Sequence, residues 1–398
     1  MPAAFGAAIR SPDVSVADGW PSDYFDSRDR FFALARAGGA RTERHPLTAV
    51  GPRGEALSID VATLVPPDTE HLIVVSSGVH GVEGILGARV QLGALARLAR
   101  RDPPKGIGIA MIHAVNPWGF AHLRRVDENN VDVNRNFLDP AAPRPDTHPR
   151  YPALDPLINP TGAPRAGDEA RFWLRTAGLI ARERGVAPLA AAIAEGQYAY
   201  PRGLFYGGAR VGESCARVQS ILSDLVPRAG RVTHLDVHSG LGRFAAVTLI
   251  GSGNVGTPDE RARGLSAHYG RPYVADDADD NPYDARGTLA RWYRRAADTR
   301  PFTYLCVEIG TLGPLRVLTA LRRENRAHHW TEPGSDAYVR TKRALLDAFA
   351  PRSERWRRTS VAAVLDVLER TYRLPPQASD RGIERLHSGT KRPRPDPT

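Results

Sequence analysis

The sequence predicts an α/β fold, a single domain in which a mixed, mostly parallel central β-sheet is flanked by helices. Two short apolar runs, residues 72–77 and 108–114, have the length and the bounding turn residues of buried strands. Between them, residues 84–101 have helical spacing and a basic last turn, which suits the negative end of a helix dipole. A strand–helix–strand order of this kind is typical of a parallel or mixed sheet.

Further segments continue the alternation of strands and helices. Apolar runs predict strands that end at about residue 238 and that cover 245–250 and 302–309. Helical spacing predicts helices in four further segments: 20–37, 168–195, 334–349 and 357–371.

Three segments lack a core pattern. Residues 139–166 are rich in Pro and are predicted to be a loop insertion, and residues 252–287, rich in Gly, Asp and Pro, are predicted to be an irregular flap. Residues 376–398 are predicted to be a disordered basic tail. One domain is therefore expected over residues 1–375.

Composition narrows the classes of function. The chain has 398 residues, 42% of them hydrophobic, and a formal charge of +10 that comes mainly from Arg. We expect no nucleic-acid partner, because no nucleic-acid-binding motif accompanies the charge and a coding bias toward Arg and Ala explains it. Neither a signal peptide nor an apolar stretch of about 18 residues is present, so we expect a cytoplasmic protein without a membrane partner. The oligomeric state stays open.

Residues with the chemistry of metal ligands lie at two predicted strand ends. His80 and Glu83 follow the strand 72–77, with glycines between and after them, and His238 ends an alternating apolar run. Ligands in open α/β sheets bind outside the carboxyl ends of strands, and zinc binds imidazole nitrogen and carboxylate oxygen. Asp236 or a backbone carbonyl could orient the His238 ring, and His234 is a weaker candidate on the same strand face. The alternatives are an acidic helix N-terminus and a structural His beside a capping Ser.

Two more segments offer polar groups for catalysis and binding. Asn134 and Arg135 provide hydrogen-bond donors for a carboxylate, although a solvated basic turn is the alternative. Arg124 or Arg125, just upstream, could stabilise an oxyanion. Glu308 is embedded in an apolar strand end, where burial would raise its pKa toward that of a general base. Pairing of Glu308 with one of the many arginines is the alternative reading.

In this order, the motifs resemble those of the zinc carboxypeptidase superfamily, which joins carboxypeptidase A-like peptidases with aspartoacylase-like deacylases. Residues 132–137 read DVNRNF, which is similar to the family's DLNRNF. Longer segments resemble one uncharacterised bacterial branch, labelled as a domain of unknown function. Those segments read SSGVHGVEG, NPWGFAHLRRVDENNVDVNRNF, GQYAYPRGLFYGG, DVHSGLG and EIGT, and the resemblance covers about residues 20–350.

The resemblance implies a metal centre and a general base. One zinc ion would be held by His80, Glu83 and His238. Glu308 would take a proton from a zinc-activated water and pass it to the leaving amine.

The resemblance also implies groups that act on the substrate. Arg125 would stabilise the tetrahedral oxyanion, with Arg124 as its competitor, since the gap to Asn134 is shorter than in carboxypeptidase A-like enzymes. Asn134 and Arg135 would bind a substrate carboxylate. A tyrosine that closes over the substrate has four candidates: Tyr198, Tyr206, Tyr283 and Tyr293.

The function implied is zinc-dependent, carboxypeptidase-like hydrolysis of an amide bond. The substrate would be a peptide or an N-acyl amino acid that carries a carboxylate. The first alternative is an N-acyl amino acid deacylase of the aspartoacylase type. The second, from another class, is a catalytically inactive binding protein with the same fold.

Overall fold

Eight strands form one sheet in the computed structural model, which describes residues 19–276, 285–297 and 300–375. The strands are β1 (Arg41–Val50), β2 (Ala56–Leu64), β3 (His71–Ser77), β4 (Ile107–His113), β5 (Arg231–Gly240), β6 (Val247–Gly253), β7 (Tyr273–Ala275) and β8 (Phe302–Gly310). Their order across the sheet is β1-β2-β4-β3-β5-β8-β6-β7.

The centre of the sheet is parallel and its flanks are mixed. β3 pairs in parallel with β4 and β5, and β5 pairs in parallel with β8. β2 and β6 run antiparallel to β4 and β8, and β1 runs antiparallel to β2. Every residue of β3 and β4 is buried, because helices cover both faces, and this is why these strands read as continuous apolar runs. The predicted fold class is confirmed.

Twelve helices surround the sheet within the described ranges. They are α1 (Tyr24–Ala37), α2 (Gly84–Leu98), α3 (Pro117–Ala121), α4 (Tyr151–Ile158), α5 (Asp168–Arg182), α6 (Ala187–Ala194), α7 (Glu213–Leu225), α8 (Pro258–Tyr269), α9 (Leu289–Ala296), α10 (Pro314–Trp330), α11 (Asp336–Phe349) and α12 (Glu354–Thr371). None of these helices has the length and apolar character needed to span a membrane.

Two cores lie on opposite faces of the sheet. Ile73 and Val75 pack with helices α1, α2, α8 and α12 on one face, whereas Leu72 and Val74 pack with α7 and α9 on the other. A third apolar cluster joins α4, α6, α10 and α11 beside the carboxyl ends of the central strands. This third cluster lies next to the candidate site.

Most predicted elements are confirmed, with two informative differences. The flap predicted over 252–287 was wrong in its described part, because α8 begins there with a capping box in which Thr257 and Glu260 bond each other's backbone N–H groups. Within the predicted loop insertion, residues Tyr151–Ile158 form α4. The predicted tail, 376–398, lies outside the described residues.

Candidate active site

The carboxyl ends of three neighbouring strands bring the predicted residues together. Ser77 at the end of β3 is opposite Val237 on β5, and His238 is opposite Glu308 on β8. His80 lies three residues after the end of β3, and Glu83 is the last residue of the 3₁₀ turn Gly81–Glu83 that follows it. Because parallel strands end at a common edge, residues distant in the chain lie side by side there.

His80, Glu83 and His238 converge on one position. Nδ1 of His80 lies 2.9 Å from one carboxylate oxygen of Glu83, and Nδ1 of His238 lies 3.2 Å from the other. The two imidazole ring centres are 5.0 Å apart. One ligand atom from each of the three residues lies within 4.8 Å of the others, as side chains that bind one ion at about 2 Å per bond require.

A buried carboxylate faces the second nitrogen of each imidazole. Nε2 of His238 lies 2.8 Å from Oδ2 of Asp236, and Nε2 of His80 lies 3.3 Å from Oδ1 of Asp132. Contacts of this kind fix ring orientation in metal sites, and both Nδ1 atoms face Glu83. They fix the tautomer at His238 only, because Nε2 of His80 also lies 2.7 Å from the guanidinium of Arg125, which can only donate. The sequence suggested Asp236 for this position but missed Asp132, although Asp132 begins the DVNRNF motif.

The three acids remain ionised at neutral pH. Burial alone would raise the pKa of Asp236, but the charge of His238 lowers it to about 2. At Asp132, the charges of Arg125 and His80 outweigh burial and lower the pKa below its ordinary range. At Glu83, the charges of the two imidazoles have the same effect. Without a metal the imidazoles supply this positive charge: burial would lower the pKa of His238, but Asp236 and Glu83 raise it well above its usual range. A divalent cation in place of the imidazole protons would balance the two excess negative charges that three carboxylates leave against one guanidinium.

Glu308 lies beside this cluster with an altered pKa. Burial and the neighbouring Glu83 charge raise the pKa of Glu308 to about 7, and its Oε1 accepts a hydrogen bond of 2.7 Å from the Leu241 N–H. His238, Cys306 and Glu308 form a second group within 4.8 Å. Burial raises the pKa of the Cys306 thiol well above its usual range, which disfavours the thiolate that a metal binds. The His80, Glu83 and His238 set therefore fits zinc better.

The two adjacent arginines have different environments. Arg125 donates to Asp132 Oδ2 over 3.0 Å, lies 2.7 Å from His80 Nε2, and stacks on Phe205 at 4.9 Å. Arg124 is 1% exposed and donates to Glu324 over 2.9 Å, in a buried network. Only the first of the two lies at the metal-ligand cluster.

Asn134 and Arg135 lie on the wall of the site. Asn134 Oδ1 accepts from the Leu289 N–H over 3.1 Å at the start of α9. The Arg135 guanidinium is largely buried and donates to the carbonyls of Asn134 and Ala194. The acceptors of these guanidinium hydrogen bonds are therefore neutral carbonyl groups.

Three of the four tyrosine candidates, those that the structure describes, lie outside the wall of the site. Tyr198 donates to the Arg135 carbonyl, Tyr293 bonds His234, and Tyr206 is buried. Tyr283 lies outside the described residues. Tyr304, which the sequence did not suggest, lines the site and donates to Asp236 over 2.8 Å.

Residues 20–363 match the model of the family described as "Protein of unknown function (DUF2817)". The chain belongs to this family. The match confirms the resemblance that the longer motifs indicated. No curated protein matches this DUF2817 chain.

Several solved structures are similar to this DUF2817 chain in fold. Carboxypeptidase A from Helicoverpa armigera has a TM-score of 0.47 and 11% identity, covering 92% of this chain and 77% of that one. Bovine thrombin-activatable fibrinolysis inhibitor, in complex with tick carboxypeptidase inhibitor, has a TM-score of 0.45 and 11% identity, covering 89% and 99%. An aspartoacylase family protein from Mesorhizobium loti has a TM-score of 0.35 and 16% identity, covering 78% and 66%.

A cavity of about 510 Å³ opens from the metal-ligand cluster of this DUF2817 protein. Its polar wall carries Arg125, Asn134, Arg135 and Glu308, and the rest of its wall is mainly apolar. A concave apolar site with a few converging polar groups is typical of small-molecule binding sites in this range of volumes.

Proposed function

We propose that this protein is a zinc-dependent hydrolase that cleaves an amide bond in a substrate carrying a carboxylate, as in a carboxypeptidase-like reaction. The convergence of His80 and His238 on Glu83, with Glu308 alongside, is the observation that supports it most directly. Two imidazoles and one carboxylate are a ligand set of catalytic zinc sites, which leave one coordination position open.

His80, Glu83 and His238 would hold the ion, and Asp132 and Asp236 would orient the two imidazoles. When bound, zinc supplies Lewis acidity and lowers the pKa of water toward neutrality. The excess negative charge of the buried acids favours a divalent cation at this place.

Glu308 would act as the general base and then as the acid. A pKa near 7 allows its carboxylate to accept a proton at neutral pH and to return that proton to the leaving amine. The Leu241 N–H holds one oxygen of Glu308, so the other oxygen, which the Cys306 thiol approaches to 3.9 Å, would accept the proton. The fixed register of His238 opposite Glu308 keeps this base beside the metal ligands.

Arg125 and the Asn134–Arg135 pair would bind the substrate. The Arg125 guanidinium, fixed by Asp132, offers N–H groups to an oxyanion that forms on the scissile carbonyl. Asn134 and Arg135 would bind the substrate carboxylate, and the buried guanidinium would gain an opposite charge in place of neutral acceptors.

A hydrolysis screen with metal analysis tests this proposal. Purified protein is assayed on dipeptides and N-acyl amino acids, with and without a chelator, and its zinc content is measured. We expect amide hydrolysis that the chelator abolishes and that added zinc restores. Binding of these compounds without any turnover by zinc-loaded protein would instead favour the catalytically inactive binding protein.

A further inference from the structure

Part of the cavity at the candidate active site is an apolar space between helices α4, α5, α6 and α10. We call this part the helical chamber. Its wall includes Leu157, Phe172, Leu179, Leu189, Leu318 and Leu321.

One face of α5 forms a wall of this chamber. Phe172, Thr176, Leu179 and Ile180 line the cavity at the three- and four-residue spacing of one helix face. Leu179 and Ile180 remain half-buried although they point inward, because the space before them is open. Open apolar space of this kind is poorly hydrated and favours an apolar occupant.

The chamber begins directly at the metal ligands. Val82, which stands between His80 and Glu83, packs in the same apolar cluster as α4, α6 and α10. Phe349 belongs to that cluster too, and its backbone carbonyl accepts from the hydroxyl of Ser239, next to His238. An apolar group attached to the scissile carbonyl could therefore run from the ion into the chamber.

The candidate carboxylate-binding residue Asn134 contacts a different part of the wall. Its amide oxygen bonds Leu289 at the start of α9, and Thr288 and Tyr304 line the cavity there. Arg135, its partner, donates to the Ala194 carbonyl at the end of α6, so the candidate carboxylate site borders the mouth of the chamber. A carboxylate held by this pair leaves the apolar depth of the chamber to the acyl side. An acetyl group would leave most of the chamber unfilled.

We infer that the substrate is an N-acyl amino acid whose acyl group is a long hydrocarbon chain bound in the helical chamber. This inference rests on the proposed amide hydrolysis. Peptides are the competing substrate class. They fit less well, because they would place polar backbone groups against the apolar wall.

Acyl-chain length provides the test. N-acyl derivatives of one amino acid, from acetyl to tetradecanoyl, are assayed with zinc-loaded protein, next to dipeptides with the same C-terminal residue. We expect kcat/KM to rise by about fourfold for each methylene until the chamber is full. In parallel, dissociation constants of the same compounds are measured with Glu308→Gln, which reports on binding without turnover.

Two adjacent residues of α5 give a matched pair of variants. Thr176→Trp fills the chamber, whereas Ala177→Trp adds the same side chain on the exposed face of the helix. We expect the decanoyl-to-acetyl ratio of kcat/KM to fall at least tenfold in the first variant and to stay unchanged in the second. Leu318→Gln places a polar group on the chamber wall at a half-buried position, which the fold should tolerate more easily than Thr176→Trp. This variant should also lower the ratio.

The outcomes separate the two proposals. Hydrolysis that does not depend on acyl length, or that prefers dipeptides, overturns the inference and leaves the hydrolase proposal intact. Binding that tightens with chain length and is lost in Thr176→Trp, without hydrolysis by the wild-type protein, supports the chamber and overturns the hydrolase. Absence of both chain-length-dependent binding and hydrolysis overturns both.

Discussion

His238 on β5 stands directly opposite Glu308 on β8 in parallel register. Side chains of residues paired in this way project to the same side of the sheet, so one strand delivers a candidate metal ligand and its neighbour the candidate base. The strands themselves are buried on both faces, which makes this register difficult to change.

The substitution Glu308→Gln should abolish hydrolysis while zinc remains bound. The amide keeps the shape of the carboxylate but cannot accept a proton, so kcat should fall by about 10²-fold or more. Steady-state kinetics and elemental analysis check this, with Glu369→Gln on the surface of α12 as the control. Wild-type kcat in Glu308→Gln would contradict the role of general base.

His80→Ala and His238→Ala should each lose zinc, because each removes one of the three ligands. Metal content of the purified variants is the measurement. His268→Ala is the control, since His268 bonds the Arg370 carbonyl far from the site. Full zinc occupancy in either ligand variant would overturn the assignment.

Asp236→Asn should weaken zinc binding without preventing it. The change removes the carboxylate that holds His238 Nε2, and loss of such a partner costs about 10- to 100-fold in metal affinity. Competition with a chromophoric chelator measures the dissociation constant. An affinity equal to that of the wild type would show that Asp236 does not position the ligand.

The rate should depend on pH through the ionisation of Glu308. Burial and Glu83 raise the pKa of this group to about 7, and only its ionised form accepts a proton. We therefore expect kcat/KM to fall about tenfold per pH unit on the acid side. The limb should level off at or below about pH 7, because a bound cation favours the carboxylate. A kcat/KM that rises as pH falls would refute the assignment.

The buried Arg124–Glu324–Lys342 network should stabilise the fold. Burial would raise the pKa of Glu324, but Arg124 and Lys342 lower it to about 2. Burial lowers the pKa of Lys342 to about 8, because its effect is larger than the opposing effect of the Glu324 charge. Lys342 therefore stays cationic at pH 7. Glu324 lies between two cations, which favour its ionised form.

Because the folded-state pKa of Glu324 lies below its ordinary value, its contribution is present above about pH 4.5 and is lost as pH falls toward 2. Glu324→Gln should lower the free energy of unfolding by about 3 kcal/mol at pH 7 and by little near pH 2. Denaturant titrations at both pH values check this. An equal loss at both would show that packing, not charge, explains the effect.

The sequence by itself determined the elements that depend on local pattern. Apolar runs bounded by turn residues identified β3, β4 and β8, and helical spacing identified α2 and α12, since burial on one or both faces imposes these periods. The edge strand β1, its neighbour β2 and the long helix α10 escaped notice. Strand β1 is half-exposed and α10 is rich in Arg, so both have weak apolar periodicity.

The motifs predicted candidate residues for the chemistry, because imidazole, carboxylate and guanidinium groups are identifiable by type and order. Only the tertiary structure decided between Arg124 and Arg125 as the group at the site, and only it brought Asp132 onto His80. It also formed the helical chamber from the predicted loop insertion (α4), the predicted helix 168–195 (α5 and α6) and α10, which the sequence did not predict. Contacts between distant segments depend on strand register and helix packing, which a local pattern does not encode.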